Sequence, residues 1–192
     1  MKNRQENEML FILSILKNPK EEYNASSLAK LMKISSMGSL KIAKKLERER
    51  ILLSKKIGKA NIYKINFNDY SKQYIKFLLK REIEKSSSYA RRWVRELEKI
   101  KDAESGILFG SVLSKEKEAG DIDILILVNK NKFEKVKKEV EEINLLNEKK
   151  VHPVYQTKQD LEKHIKENNK VILNALKGLY VFGEDAIIEV LQ

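Results

Sequence analysis

The segment Asp121-Ile122-Asp123-Ile124-Leu125-Ile126-Leu127-Val128 constrains the fold more than any other part of the chain. A short, isoleucine-rich apolar run predicts a buried β-strand. Its two acids stand at positions i and i+2, so they project from the same face of that strand. Like charges side by side raise the cost of ionisation unless a cation neutralises them. A second strand is predicted just upstream, from Ser105 through Gly106-Ile107-Leu108-Phe109, and Gly110-Ser111 ends it abruptly. Between the strands, Val112 to Glu118 predicts a short helix, stopped by Gly120.

These residue types suit phosphate chemistry. A glycine at 110 lets a phosphate approach the backbone, and the Ser111 hydroxyl with nearby N–H groups can bind its oxygens. Asp121 and Asp123 can hold Mg²⁺, an ion that commonly takes one or two carboxylates plus substrate phosphates. Phosphoryl or nucleotidyl transfer needs little more than such positioning and charge neutralisation. Phe109-Gly110-Ser111, nine residues, then Asp121-Ile122-Asp123 resembles the Gly-Ser…Asp-x-Asp signature of the polymerase-beta-like nucleotidyltransferase superfamily, in its minimal branch. The resemblance spans about residues 88–185. It implies that Gly110 and Ser111 hold the triphosphate of an NTP, and that Asp121 and Asp123 are the catalytic, Mg²⁺-binding acids. Members of that superfamily usually add a third acid on a later strand. A helix over 132–146 follows here, with Phe133, Val136, Val140 and Ile143 inward. The next strand, Val151-His152-Pro153-Val154-Tyr155-Gln156, has no acid. His152 stands where the acid is expected; a structural histidine is the expectation and a substitute base the alternative. Pro153 predicts an edge strand or a broken ladder. Thr157 and Asp160 read as a helix capping pair, and His164 as a surface residue. Leu161 to Leu176 predicts one amphipathic helix, Leu179–Phe182 a last strand, and Glu184 and Asp185 surface charges in a turn.

The first third of the chain has a different character. Residues 7–17 carry apolar side chains at helical spacing until Asn18-Pro19. Ser26 and Ser27 offer caps for a second helix with Leu28, Leu31 and Met32 inward. Ser35-Ser36 starts a third helix, with Leu40, Ala43 and Leu46 inward and Lys41, Lys44, Lys45 and Arg48 as one cationic stripe. Ile51–Lys56 and Asn61–Asn66 read as a hairpin through Ile57-Gly58-Lys59-Ala60. Three helices and a basic hairpin resemble a winged helix-turn-helix domain over about residues 5–67. The resemblance implies a recognition helix in the DNA major groove and a phosphate-touching wing carrying Lys55, Lys56 and Lys59. Ser36 and Ser39, near the helix start, are the short polar groups that could read bases. Between the two parts, Tyr70–Lys101 reads as one or two helices broken at Ser86-Ser87-Ser88, with Trp93 in a core.

Charge follows the same division. Residues 1–70 hold 15 Lys/Arg against 7 Asp/Glu, a surplus of 8. Residues 71–105 hold 10 against 6, and residues 106–192 hold 14 against 15. A uniformly lysine-rich surface would raise every segment, so the surplus of the first half points to a polyanion partner. The absence of cysteine excludes a disulfide framework and thiolate metal sites. No apolar run reaches the ~18 residues of a membrane span. Met1-Lys2-Asn3-Arg4-Gln5-Glu6 does not open a signal-peptide core, and a soluble cytoplasmic protein with no membrane partner is expected.

The expected architecture is α+β. A winged helix-turn-helix domain over 1–68 and a helical connector over 69–87 lead to a nucleotidyltransferase-like mixed sheet with flanking helices over 88–192. The expected function is DNA binding joined to Mg²⁺-dependent transfer of a nucleoside monophosphate from an NTP. The acceptor is unknown, a protein or an RNA being compatible, and so is a homodimer. The alternative is a transcriptional regulator whose C-terminal domain is catalytically degenerate and senses nucleotide or mediates contacts.

Overall fold

The computed structural model describes residues 4–192; Met1, Lys2 and Asn3 of the N-terminal reading lie outside the described residues. Contacts divide the chain into two units, with the boundary between Leu78 and Leu79.

The first unit begins with α1 (Arg4–Leu16), α2 (Ala25–Met32) and α3 (Ser36–Arg48). Phe11, Ile12 and Leu16 of α1 are buried at helical spacing, together with Leu28, Ala29 and Met32 of α2. Leu31, expected inward, is 56% exposed, because the buried stripe of this short helix passes through Ala29 instead. The cap of α2 is Asn24 rather than Ser26: its Oδ1 accepts from the Ser27 N–H at 2.9 Å, and Ser27 Oγ accepts from the Asn24 N–H at 3.0 Å. Ser35 caps α3 as expected, accepting from the Gly38 N–H at 3.0 Å. The buried face of α3 is Ser39, Ile42, Ala43 and Leu46, with Leu40 half-buried at its edge. The hairpin β1 (Leu52–Ile57) and β2 (Ala60–Ile65) is antiparallel, with Ile57 opposite Ala60 across Gly58-Lys59. Tyr63 is fixed at the hairpin base, where its N–H donates to the Tyr23 carbonyl at 2.8 Å. Three helices and a wing are thus present. The helix α4 (Asp69–Lys85) follows and spans the boundary residues.

The second unit contains α5 (Ser88–Leu97), β3 (Ser105–Phe109), α6 (Val112–Lys115) and β4 (Ile122–Leu127). It continues with α7 (Phe133–Leu146), β5 (Val151–Gln156), α8 (Lys158–Lys166), α9 (Lys170–Ala175), β6 (Leu179–Phe182) and α10 (Glu184–Val190). Ser87 caps α5, which confirms the break at the serines. The sheet order is β5-β4-β3-β6; β3 runs antiparallel to both neighbours and β4 parallel to β5, so the sheet is mixed. Pro153 lies on an edge strand, where its missing N–H costs no ladder bond.

Ile122, Ile124, Ile126 and Val128 of β4 pack with Trp93, Val94 and Leu97 of α5 and with Val136, Val140 and Ile143 of α7. The opposite sheet face meets α8, α9 and α10. Burial on both faces explains the unbroken apolar run of β4. The single helix expected over 161–176 is two helices. Asn168 adopts a left-handed φ of 58°, and the Asn169 side chain accepts from the N–H groups of Val171 and Ile172, capping α9. Glu184, expected at the surface, is 9% exposed at the start of α10. Among the described residues, no helix is long and apolar enough to cross a membrane.

Candidate functional site

The middle of the sheet gathers the acids. Asp123 stands opposite Phe109, the last residue of β3, and opposite His152 of β5 on its other side. Neighbouring residues across a ladder project from the same face, so Asp123 and His152 lie together. The adjacent Ile122 and Val151 point the other way, into the core. Asp121 precedes β4 by one residue and shares the face of Asp123. Its loop is held in place. Lys149 Nζ donates to the carbonyls of Lys117 and Ala119, and the Ile122 N–H donates to the Lys150 carbonyl at 2.9 Å.

Gly110 has a φ of 82°, and a Cβ there would collide with Asp123 Oδ2. Only glycine allows both the turn after β3 and the carboxylate lying against it. Ser111 follows, half-buried, and its side chain makes no capping hydrogen bond to α6. The helix itself is one turn long, so the local contribution at this corner comes from individual N–H groups and the hydroxyl rather than from a long helix dipole.

Asp121, Asp123 and His152 each present a ligand atom within 4.8 Å of the others. His152 Nδ1 lies 2.9 Å from Asp121 Oδ2, and the two side chains are 60% and 40% exposed. Burial pushes the Asp123 carboxyl above the usual aspartate range, the Asp121 charge pushes it further, and His152 opposes both. A cation bound among them would relieve this repulsion. The oxygens suit a hard divalent ion such as Mg²⁺; the imidazole nitrogen also suits first-row transition ions. Sequence reasoning set His152 at the right strand position but expected a structural role. Its exposure and its partner put it in the cluster instead. His164, expected at the surface, is half-buried, with Nδ1 2.7 Å from Gln156 Oε1. Asp160 is the expected capping partner of Thr157.

The residues of the expected DNA face divide. Lys41, Lys44 and Arg48 are exposed and line one open groove with Glu47. Lys55, Lys56 and Lys59 are exposed on the wing. Ser36 lines a second groove with Lys59, Asn24, Ser26, Met37 and Asn61. Two residues depart from the expectation. Ser39 is fully buried, because it falls on the same helical stripe as Ile42 and Leu46, so its hydroxyl cannot reach a base. Lys45 turns to Glu8, with Nζ 2.6 Å from Oε2, and Glu8 is itself buried. That pairing holds the ammonium above its ordinary range and takes it out of the free stripe.

Residues 94–177 match the model of the family described as polymerase beta, nucleotidyltransferase. The match includes Gly110, Ser111, Asp121, Asp123 and His152, and this segment is a nucleotidyltransferase-fold domain. No curated protein matches the chain. Among solved structures it is similar to the crystal structure of the adhesin competence repressor (AdcR) from Streptococcus pyogenes. The identity is 18% over 51% of this chain and 77% of that one, with a TM-score of 0.30.

Proposed function

We propose that residues 88–192 transfer a nucleoside monophosphate from an NTP to an acceptor hydroxyl, releasing pyrophosphate, and that residues 1–68 bind DNA. The observation that carries this reading is the convergence of Asp121 and Asp123 beside the Gly110-Ser111 turn. The family match over 94–177 supports it. Asp121 and Asp123 hold a divalent cation, Mg²⁺ in the simplest case. When bound, that ion neutralises the triphosphate and the charge of the departing pyrophosphate. The chain's own groups do the positioning. The Gly110 corner leaves backbone room for phosphate oxygens, and the Ser111 hydroxyl donates to one of them. The open side of the cluster admits the acceptor, a protein or an RNA. A cytoplasmic setting supplies NTPs.

On the N-terminal unit, Lys41, Lys44 and Arg48 of α3 and Lys55, Lys56 and Lys59 of the wing neutralise DNA phosphates. Ser36 is the remaining candidate for base contact. Calorimetric titration of each Mg²⁺–NTP into wild type and into Asp121→Ala/Asp123→Ala tests the nucleotide site, followed by label transfer to cell extract. Binding that requires both aspartates is expected; equal binding by the double variant overturns the site.

A second reading has its own observation: β5, the strand beside β4, sets His152 and no acid opposite Asp123. In that reading the domain binds nucleotide without turnover, and the protein is a DNA-binding regulator. Aspartate-dependent NTP binding without label transfer to any acceptor, together with NTP-dependent DNA affinity, is its signature.

A further inference from the structure

We propose that His152 is a direct third ligand of the divalent cation and that it tilts the site from Mg²⁺ towards Mn²⁺. The proposal rests on the reading of Asp121 and Asp123 as cation ligands and deepens it. Three observations carry it.

The first is register. His152 is the residue directly opposite Asp123 in the parallel β4–β5 ladder, so backbone pairing, not a flexible loop, fixes its place. The second is spacing. With bonds of about 2.1 Å, two neighbouring ligands of a six-coordinate ion lie roughly 3 Å apart and two opposite ones roughly 4.2 Å. His152 Nδ1 and Asp121 Oδ2 are 2.9 Å apart, and all three ligand atoms fall within 4.8 Å. The third is the lack of a packing role. The His152 side chain is 60% exposed while its neighbour Val151 is 2% exposed, so the ring is held by Asp121 and not by the core.

The donor set then decides the ion. Mg²⁺ prefers oxygen and dehydrates reluctantly, whereas imidazole binds first-row transition ions well. Zn²⁺ favours four-coordinate tetrahedral sites, which leave a single open position beside three protein ligands. Mn²⁺ accepts carboxylate and imidazole together and keeps further positions for water and phosphate oxygens, which this solvent-open cluster leaves available.

The test uses the full chain and Mn²⁺ as probe. Mn²⁺ and Mg²⁺ affinities are measured by calorimetry for wild type, His152→Ala, His152→Asp, His164→Ala and Asp121→Ala/Asp123→Ala. Pulsed paramagnetic resonance of bound Mn²⁺ reports a coordinated nitrogen. The chain has only two histidines, so the assignment is direct. Wild type and His164→Ala are expected to show nitrogen coupling and tighter binding of Mn²⁺ than of Mg²⁺. His152→Ala loses the coupling and at least about tenfold in Mn²⁺ affinity, a loss that even outer-shell substitutions reach. His152→Asp binds both ions without nitrogen coupling and with a smaller preference for Mn²⁺. Aspartate-dependent Mn²⁺ binding with no nitrogen coupling, or an Mn²⁺/Mg²⁺ ratio unmoved by His152→Ala, overturns the role of His152 alone. Binding indifferent to the two aspartates, or no binding of either ion, overturns the metal site itself and the proposal with it.

Discussion

The two units use charge in opposite ways. In the N-terminal unit the exposed cations of α3 and the wing are numerous, separate and solvated. Such a surface attracts a polyanion by counterion release and tolerates loose geometry, because each phosphate contact adds its share. In the C-terminal unit positive and negative charges nearly balance, and the proposed chemistry rests on two carboxylates and an imidazole whose ligand atoms lie within 4.8 Å of one another. There geometry is everything: one misplaced atom removes the site. The first unit can therefore be read as a sum of contacts, the second only as a constellation.

The constellation is the more fragile of the two. Trp93 is fully buried in the core beneath β4. Trp93→Ala should destabilise the second unit by about 3–5 kcal/mol, the range for deleting a large buried aromatic. Urea unfolding followed by circular dichroism checks it. Gly110→Ala is the sharper probe, because it adds one methyl group. Its Cβ would meet the Asp123 carboxylate at a φ of 82°, so a cost of about 1–3 kcal/mol is expected. Metal–nucleotide binding in calorimetry should be lost with it. Retention of that binding would show that Asp123 can move without harm and that the constellation is looser than drawn.

The adjacent Lys44 and Lys45 should respond differently to charge reversal. Lys41→Glu plus Lys44→Glu should weaken DNA binding and lower the slope of log affinity against log salt by about 2, at about 0.9 per phosphate contact. Fold stability should hold. Lys45→Glu should do the reverse. It sets a carboxylate against the buried Glu8, costs about 1–3 kcal/mol of stability, and leaves the salt slope nearly unchanged. Fluorescence anisotropy across a salt series and thermal melts distinguish the two. A large slope change in Lys45→Glu would return that residue to the proposed DNA face.

The smallest effect concerns pH. The Asp123 carboxyl is raised by burial and by Asp121. A raised group stabilises the fold while protonated, so this contribution is present below the unfolded-state value and is lost as pH rises through the raised one. In the metal-free protein, wild type should therefore lose stability relative to Asp123→Asn as the pH climbs through and just above the ordinary carboxylate range. Added divalent ion should cancel that loss, and urea midpoints at several pH values measure both.

Much of this was legible because it is local. Ser35 at a helix start, the Gly58-Lys59 turn, the serine break before α5 and Gly110-Ser111 with Asp121 and Asp123 all act within a few residues. The Asn168-Asn169 break had a local signal too, since asparagine both tolerates a left-handed φ and caps helices; apolar periodicity masked it. Leu40 suggests a helical phase one residue off the true one, and a one-residue shift in phase turns a side chain by about 100°, which carries Ser39 into the core. Lys45 could not be separated from Lys44 at all. Its partner Glu8 lies 37 residues away, and only packing of α1 against α3 brings them together.

Element types, the Gly110 corner and the shared face of Asp121 and Asp123 follow from the local sequence, because helix caps, turns and strand alternation are properties of neighbouring residues. The meeting of His152 with Asp121 and Asp123 depends on strand pairing, which no local signal specifies. A strand has the same period whichever partner it pairs with, and a slip of one residue would have sent His152 into the core and Val151 to the acids. The register is set by burying Val151 with Ile122 and Ile124 beneath α7. A hydrophobic contact on one face of the sheet thus fixes the proposed ligand on the other.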